Sequence, residues 1–241
     1  MTLAARMQET GRFLFRWRSY LPLAFLLVLA PALAARPQEG PWGWVWDALC
    51  LGLGLLGLLV RALAVGYAAP GTSGRNTRGQ RAECLNTTGL YSLVRHPLYL
   101  GNFLIWVGLS LDLGTWWYSL IAALAFWFYY ERIMLTEESF LESRFGPEFL
   151  AWAERTPAFI PRLRGWQRPE RPFSWKRVLR NEHPTLAALL LVYSILEVVS
   201  DLVTVHRVRL EPEWLIPLGV GLAAYLVLRI LKKWTRVLQE A

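Results

Sequence analysis

Six long apolar runs recur along the chain and restrict it to a helical membrane fold. They lie near residues 20–35, 44–63, 98–113, 115–130, 185–205 and 213–231. A helix needs about 20 apolar residues to cross a hydrocarbon core of roughly 30 Å, so the shorter runs predict boundaries that shift by a few residues. Charged residues make up 18% of the chain, against about 25% in soluble domains. We therefore predict an all-α integral membrane protein with about six transmembrane helices.

The distribution of basic residues predicts the orientation of these helices. With a cytoplasmic N-terminus, the inner segments are 1–19, 64–97, 131–184 and 229–241, and together they hold 22 of the 26 lysines and arginines. Lysine and arginine accumulate in cytoplasmic loops, so we expect both termini on the cytoplasmic side, in a bacterial inner membrane. This bias, with attraction to the anionic headgroups of membrane lipids, also accounts for the net charge of +8. We expect no nucleic-acid partner.

The first apolar run has a second interpretation. Arg12, Arg16 and Arg18 precede it, and it ends in Ala32-Leu33-Ala34-Ala35. A basic start, a short apolar stretch and a small-residue end are also typical of a cleaved signal peptide. We expect an uncleaved span. Cleavage would leave the topology of the later spans unchanged.

The cysteines, histidines and clustered glycines indicate neither a metal site nor a nucleotide loop. Cys50 is predicted within a span near its outer side and Cys84 in a cytoplasmic loop, so we expect no disulfide between them. The three histidines are far apart and lack the spacing of metal ligands: His96, His183 and His206. The run 52–57 contains three glycines among leucines, which favours close helix packing over nucleotide binding.

A polar and aromatic cluster stands directly before the third span, in residues 89–101. Such residues are costly at a membrane boundary, so their presence there predicts a site. Pro97 is suited to the first position of a helix because it has no N–H to lose, with His96 as the cap. Helix amides carry partial positive charge at this end, so we expect an anionic group such as a carboxylate or phosphate nearby.

The segment after residue 130 is predicted to continue the fourth span as a helix that leaves the bilayer. Charged residues alternate there with apolar ones, and Gly146-Pro147 then breaks the helix before 148–155 resumes it. Glu137 and Glu138 lie about one turn beyond the membrane surface. They are either solvated or the counter-charge of a cationic ligand.

These two segments together resemble a known family. The pattern Gly-x-Tyr-x-x-x-Arg-His-Pro-x-Tyr-x-Gly is followed by Glu-Glu-x-x-Leu-x-x-x-Phe-Gly-x-x-Phe-x-x-Trp and then by Thr-Pro-Ala-Phe-Ile-Pro at 156–161. Over residues 75–162 the chain resembles the isoprenylcysteine carboxyl methyltransferases, which are related to the phospholipid N-methyltransferases. The resemblance implies an integral membrane enzyme that binds S-adenosylmethionine at the cytoplasmic face and methylates a lipid-like acceptor entering from the bilayer.

The resemblance and the charges of the residues together indicate a cofactor site. Arg95 suits the carboxylate of S-adenosylmethionine, and Glu137 or Glu138 suits its amino group. The tyrosines suit the adenine or the sulfonium, the latter by a cation–π contact. The predicted cofactor-binding residues are Glu83, Cys84, Leu85, Asn86, Tyr91, Arg95, His96, Pro97, Leu98, Tyr99, Glu137 and Glu138.

Two positions differ from the protein-prenyl enzymes. Glu83 stands where those enzymes usually have a histidine, and Ile133 replaces their substrate-side arginine, with Arg132 adjacent. These differences bear on the acceptor more than on methyl transfer. Arg132 is therefore a candidate substrate residue. Glu197, deep in the fifth span, either bonds to a neighbouring helix or lines a cavity for a polar part of the substrate.

We predict methyl transfer from S-adenosylmethionine to a membrane-embedded acceptor that carries a carboxylate, an amine or another headgroup. No residue is compelling as a general base, so the catalytic residues stay unassigned. The predicted regions are a two-span N-terminal part (1–70), a methyltransferase core (71–162), a basic cytoplasmic linker (163–184) and a two-span C-terminal extension (185–241).

Three other classes of protein stay open. A membrane reductase of the sterol type would need clustered basic groups for its nicotinamide phosphate rather than Glu137-Glu138. A transporter would need polar residues deep in several spans, where only Glu197 and Asp201 qualify. A non-enzymatic membrane scaffold would give no reason for the two motifs to occur together.

Overall fold

The protein folds into packed helices. The computed structural model describes residues 3–17, 31–33, 35, 43–72, 82–204, 212–235 and 237–238, and within these ranges it contains no β-strand. The helices are α1 (Leu3–Trp17), α2 (Gly43–Tyr67), α3 (Pro97–Asp112), α4 (Trp116–Phe145), α5 (Pro147–Arg155), α6 (Trp175–Thr204) and α7 (Pro212–Trp234), and a 3-10 turn at Gly89–Ser92 precedes α3. The all-α prediction is confirmed for this part of the chain.

Three of the described helices are long and apolar enough to cross a membrane: α2, the segment Trp175–Val203 of α6 and the segment Leu215–Trp234 of α7. They correspond to the second, fifth and sixth predicted runs. Helix α3 is shorter, with 16 residues, and α4 extends the fourth run into a helix of 30 residues. The helical continuation beyond residue 130 is therefore confirmed, as is the break at Gly146-Pro147.

Some of the predicted features fall outside the described residues. They are most of the first run, 20–35, with Arg18 before it, and His206 in the later part of the chain. The number of spans and the cytoplasmic position of both termini stay predictions.

Helices α2 and α3 approach each other closely because glycines face the contact. A Cβ on Gly57 would lie 2.5 Å from the carbonyl oxygen of Gly101, and a Cβ on Gly108 would lie 2.7 Å from that of Cys50. A larger side chain at these positions would push the helices apart. The predicted packing role holds for Gly57, whereas a Cβ on Gly52 would have no atom within 4 Å.

Helix α1 runs antiparallel along the second half of α4. The Tyr129 hydroxyl donates to the carbonyl of Leu14 at 3.1 Å, and Gln8 Nε2 donates to Ser139 Oγ at 2.7 Å. An aromatic core forms beneath this contact, with members Phe15, Tyr99, Phe126, Tyr130, Ile133, Met134 and Phe159. Helix α1 therefore lies at the end of the bundle where α4 carries its paired glutamates.

Helix α6 covers both α2 and α3. Tyr193 and Leu189 of α6 pack against Ile105 of α3, and Leu196 packs against Leu113 at the far end of α3. Helix α7 packs on α6 and leaves most of its apolar side chains exposed. An exposed apolar helix surface of this length is suited to contact with lipid.

Candidate functional site

The Arg95-His96-Pro97 segment is held in place by the loop that follows α5. The backbone N–H of Arg95 donates to the carbonyl of Pro157 at 2.9 Å, and that of His96 donates to the carbonyl of Ala158 at 3.2 Å. Both acceptors belong to the closing Thr-Pro-Ala-Phe-Ile-Pro segment. The two halves of the sequence pattern are therefore joined by backbone hydrogen bonds.

Helix α3 begins as predicted, with His96 as the cap and Pro97 as the first residue. The amides around this helix start are largely used within the protein. Those of Arg95 and His96 bind the loop, and those of Tyr99 and Leu100 donate to the His96 carbonyl at 3.1 Å. The guanidinium of Arg95 is therefore a better partner for an anion than the helix amides.

The imidazole of His96 lies between the two glutamates of α4. His96 Nε2 is 2.9 Å from Glu138 Oε1 and Nδ1 is 3.6 Å from Glu137 Oε2. The Tyr99 hydroxyl donates to the same Glu137 oxygen at 2.9 Å, and Arg95 Nε is 3.1 Å from Glu138 Oε1. We call these five residues the His96 cluster.

The His96 cluster contains more carboxylates than permanently charged cations. Arg95 pairs with Glu138, and the described partners of Glu137 are the Tyr99 hydroxyl and the more distant His96. Leaving His96 aside, one arginine and two glutamates sum to a charge of −1. The side chain of His96 is 5% exposed and that of Glu137 33%, so the site is accessible from the glutamate side.

Arg95 has a donor that is poorly aligned with its partner. Its Nε is buried, and within the described part of the chain it has no hydrogen bond, because its approach to Glu138 has the distance but not the direction of one. Another guanidinium nitrogen, Nη1, donates to the carbonyl of Ala153 at 3.3 Å. Arg95 Nε is therefore an ion-pair partner of Glu138 with a poorly aligned N–H, and a better-aligned acceptor would complete its hydrogen bonding.

A cleft of about 400 Å³ opens beside Arg95, between the end of α5 and the loop at 156–162. A cavity of this volume is at the lower end of the range for small-molecule sites. Its charged lining residues are Arg95, Glu154, Arg155 and Arg162.

Tyr91 is electrostatically connected to the His96 cluster. Its carbonyl accepts a hydrogen bond from Trp152 Nε1 at 3.0 Å. Burial raises the pKa of the Tyr91 hydroxyl well above its ordinary value, and the negative charge of Glu137 raises it further, against an opposing effect of Arg61. The hydroxyl therefore stays protonated and within electrostatic reach of Glu137.

Two of the four predicted residues upstream, Asn86 and Glu83, have described contacts elsewhere. Asn86 accepts a hydrogen bond from the Ala69 amide at 2.9 Å and donates to Thr72 Oγ1 at 2.8 Å. Glu83 is exposed and its carboxylate lies against Gly71, which has a positive φ of 74°. Cys84 and Leu85 are half-buried. The described contacts of Asn86 and Glu83 hold the turn after α2, and the assignment of all four to a cofactor stays a prediction.

The two substrate candidates are separate from the His96 cluster. Arg132 donates to the carbonyl of Phe128 at 2.7 Å, along its own helix. Glu197 is half-buried and has a polar partner. It lies near the end of α3 opposite His96, because its neighbour Leu196 belongs to the same buried cluster as Leu113. Pro97 is buried and Leu98 half-buried at the start of α3.

Four residues that the sequence did not single out form a second polar group. Arg61 of α2 binds Glu182 of α6 through two hydrogen bonds of 2.8 and 2.9 Å. It also donates to Asn102 Oδ1 at 2.6 Å, and Asn102 Nδ2 donates to the Tyr130 hydroxyl at 3.1 Å. A lone arginine inside an apolar run is a signal for a buried partner. No local pattern identifies Glu182 as that partner.

Within the described residues, no three histidine, cysteine, aspartate or glutamate side chains lie close enough together to hold a metal ion.

Comparisons with known proteins agree on one family. The family described as phospholipid methyltransferase matches residues 49–148. The chain is 41% identical to the cobalt-zinc-cadmium resistance protein CzcN of Cupriavidus metallidurans, over 51% of this chain and 54% of that protein. It is 36% identical to the nickel-cobalt-cadmium resistance protein NccN of Alcaligenes xylosoxydans xylosoxydans, over 63% of this chain and 68% of that protein.

A third relative is named for its reaction. The chain is 30% identical to the protein-S-isoprenylcysteine O-methyltransferase of Schizosaccharomyces pombe, over 48% of this chain and 50% of that protein. The chain thus spans between half and about two thirds of the length of these three relatives. No solved structure matches it.

Proposed function

Because the chain belongs to the family of isoprenylcysteine carboxyl methyltransferases and phospholipid methyltransferases, we propose that it transfers a methyl group from S-adenosylmethionine to a lipid-like acceptor. The matched region, 49–148, contains all five residues of the His96 cluster. The observation that carries the proposal is Glu137, a partly buried carboxylate whose described partners are the Tyr99 hydroxyl at 2.9 Å and the His96 ring at 3.6 Å. A cationic ligand would place a full positive charge beside it.

The residues of the site suit the charges of S-adenosylmethionine. A sulfonium and an ammonium against one carboxylate give the cofactor a net charge of +1, opposite in sign to the carboxylates of Glu137 and Glu138. Glu137 would accept a charge-assisted hydrogen bond from the ammonium. The buried Arg95 Nε would donate to the carboxylate, which would satisfy its missing bond. Tyr91, which is half-buried, would offer an aromatic face to the sulfonium.

Bound S-adenosylmethionine would supply an electrophilic methyl group, to which the acceptor bonds in line as the carbon–sulfur bond breaks and the sulfur leaves as the neutral thioether of S-adenosylhomocysteine. The protein then has to align the two partners and exclude water. The buried rings of Tyr99, Phe126 and Tyr130 form a packed apolar surface beside Glu137. A carboxylate acceptor needs no base, whereas an amine or a hydroxyl must lose a proton. In that case His96, held between two carboxylates, would be the candidate to receive it.

We propose that the acceptor reaches the site sideways from the inner leaflet. The relatives that are named for a reaction are protein-S-isoprenylcysteine O-methyltransferases. The matching family is described as phospholipid methyltransferase. Both kinds of acceptor carry long apolar chains, which partition into a bilayer. The His96 cluster at the start of α3 would then lie at the cytoplasmic surface of a six-span bundle with both termini cytoplasmic, in a bacterial inner membrane.

Under this proposal Glu83, Cys84, Leu85 and Asn86 would form an outer edge of the cofactor site. Arg132 and Glu197 would contact the acceptor only if it extends beyond the His96 cluster. The regions 1–70, 71–162, 163–184 and 185–241 would be the N-terminal spans, the core, the linker and the extension.

Calorimetric titration of the purified protein in detergent tests the proposal. We expect saturable binding of S-adenosylhomocysteine, the product form of the cofactor, and no binding of a reduced nicotinamide cofactor. The reverse result would support a membrane reductase instead. Transfer of a labelled methyl group from S-adenosylmethionine into a lipid extract would then identify the chemical class of the acceptor.

A further inference from the structure

A buried ion pair connects the C-terminal helices to the methyltransferase region. Arg61 of α2 and Glu182 of α6 form a bidentate pair, with side chains that are 13% and 6% exposed. Each charge depends on the other, because removing one would leave the second buried without a counter-charge. Glu182 lies outside the family match at 49–148.

The ion pair also fixes the orientation of an amide. Arg61 Nη1 donates to Asn102 Oδ1 at 2.6 Å. A guanidinium has only donors, so the amide oxygen has to face Arg61 and the amide nitrogen has to face the other way. Asn102 Nδ2 accordingly donates to the Tyr130 hydroxyl oxygen at 3.1 Å. The Tyr130 oxygen thus acts as an acceptor at this contact.

The chain of contacts continues from Tyr130 to the His96 cluster. The Tyr130 ring lies 4.9 Å from the ring of Tyr99, and stacks at 4.0 Å on Phe126. Tyr99 is buried, and its hydroxyl donates to Glu137 at 2.9 Å. A shift of Asn102 would therefore be transmitted through two packed tyrosines to the carboxylate that we assign to the cofactor.

Close helix packing leaves Arg61 little freedom. A Cβ on Gly101 would lie 2.5 Å from Arg61 Cγ and 2.6 Å from the carbonyl of Gly57. The aliphatic part of Arg61 thus rests on the backbone of α3, one residue before Asn102. This contact fixes where the guanidinium can point.

We propose that Arg61 and Glu182 are positioning residues of the methyltransferase site, which hold Glu137 in its binding geometry through Asn102, Tyr130 and Tyr99. Helix α6 then helps to fix the geometry of the site and is not a separate extension. The inference rests on the proposed function, since it takes Glu137 as a cofactor-binding residue.

A charge swap separates positioning from simple helix clamping. The double variant Arg61→Glu with Glu182→Arg restores an ion pair between α2 and α6, but a carboxylate at position 61 cannot donate to Asn102 Oδ1. We expect the thermal unfolding temperature of the swap to exceed those of both single variants. Its affinity for S-adenosylhomocysteine should stay about tenfold below that of the wild type, a loss on the scale of one charged hydrogen bond.

A second variant keeps the proposal testable if the swap does not fold. Asn102→Asp can still accept from Arg61 but no longer donates to Tyr130, so it should weaken S-adenosylhomocysteine binding by about tenfold with the ion pair intact. Asp201→Asn removes another carboxylate from α6 and serves as the control, with unchanged affinity. Wild-type affinity in the swap, or in Asn102→Asp, would overturn the positioning role. Absence of binding to the wild type would instead overturn the proposed function.

Discussion

Glu138 Oε1 lies 2.9 Å from His96 Nε2, although 42 residues separate the two in the chain. The contact exists because α3 and α4 form an antiparallel hairpin, so the end of α4 returns to the start of α3. Neither motif is a site by itself. The first supplies Arg95, His96 and Tyr99, the second supplies two carboxylates, and the hairpin between them brings these groups into contact.

The first prediction concerns the counter-charge of the cofactor. Glu137→Ala should weaken binding of S-adenosylhomocysteine by about 1–3 kcal/mol, because a charged hydrogen bond to the amino group is lost. Isothermal titration in detergent measures this loss. Glu142→Ala is the matched control, since Glu142 lies further along the same helix with an exposed side chain. Equal affinity in both variants would remove Glu137 from the cofactor site.

The second prediction concerns the route of the acceptor. If the acceptor enters from the inner leaflet, turnover should be high with lipid-like acceptors and weak with their isolated headgroups. The reason is that an apolar chain concentrates the acceptor in the bilayer, next to the start of α3. Initial rates of methyl transfer in proteoliposomes, with paired lipidated and water-soluble forms of one acceptor, measure this difference. Equal rates for the two forms would argue against lateral entry.

The third prediction concerns the contact between α2 and α3. Gly57→Ala should destabilise the protein by about 1–3 kcal/mol, because the added methyl overpacks a backbone contact that cannot move aside. Gly52→Ala lies on the same helix with open space around it, and it should leave the unfolding temperature near that of the wild type. Thermal unfolding in detergent compares the two variants. A smaller effect at Gly57 than at Gly52 would contradict the close packing.

The fourth prediction concerns Glu197. Its place near Leu196, at the end of α3 opposite His96, favours a structural bond over a contact with the reacting group. Glu197→Gln should therefore reduce the unfolding temperature and leave turnover unchanged with every acceptor that the wild type methylates. A selective loss of turnover with one acceptor would instead place Glu197 in a substrate cavity.

The fifth prediction concerns alkaline pH. The folded-state pKa of Tyr91 is raised above its ordinary value, chiefly by burial and then by Glu137. Its contribution to stability is thus fully present below the unfolded pKa of about 10 and is lost as the pH rises through the folded pKa. Tyr91→Phe should make the loss of stability above about pH 10 shallower. Unfolding temperatures measured across this range test the effect, and parallel curves for variant and wild type would contradict it.

Local patterns in the sequence predict the helices well. The second apolar run, 44–63, corresponds to α2 at Gly43–Tyr67, and Pro97 and Gly146-Pro147 mark a helix start and a helix break where expected. These features depend on hydropathy and on backbone chemistry within a few residues. Helix α6 begins at Trp175, well before the predicted 185. The apolar pattern did not reveal its first turns because they are polar. One of those polar residues, Glu182, is nevertheless buried against Arg61.

The partners of charged residues were decided only by the tertiary structure. The sequence by itself determined that Arg61 lies in an apolar helix and that Glu137 and Glu138 follow a span. It did not determine that Arg61 meets Glu182, or that His96 lies between the glutamates. Helix formation depends on hydrogen bonds four residues apart, whereas these pairs depend on the rotation and close approach of separate helices. That approach is set by packing at Gly57 and Gly101, so the site exists only once the bundle has formed.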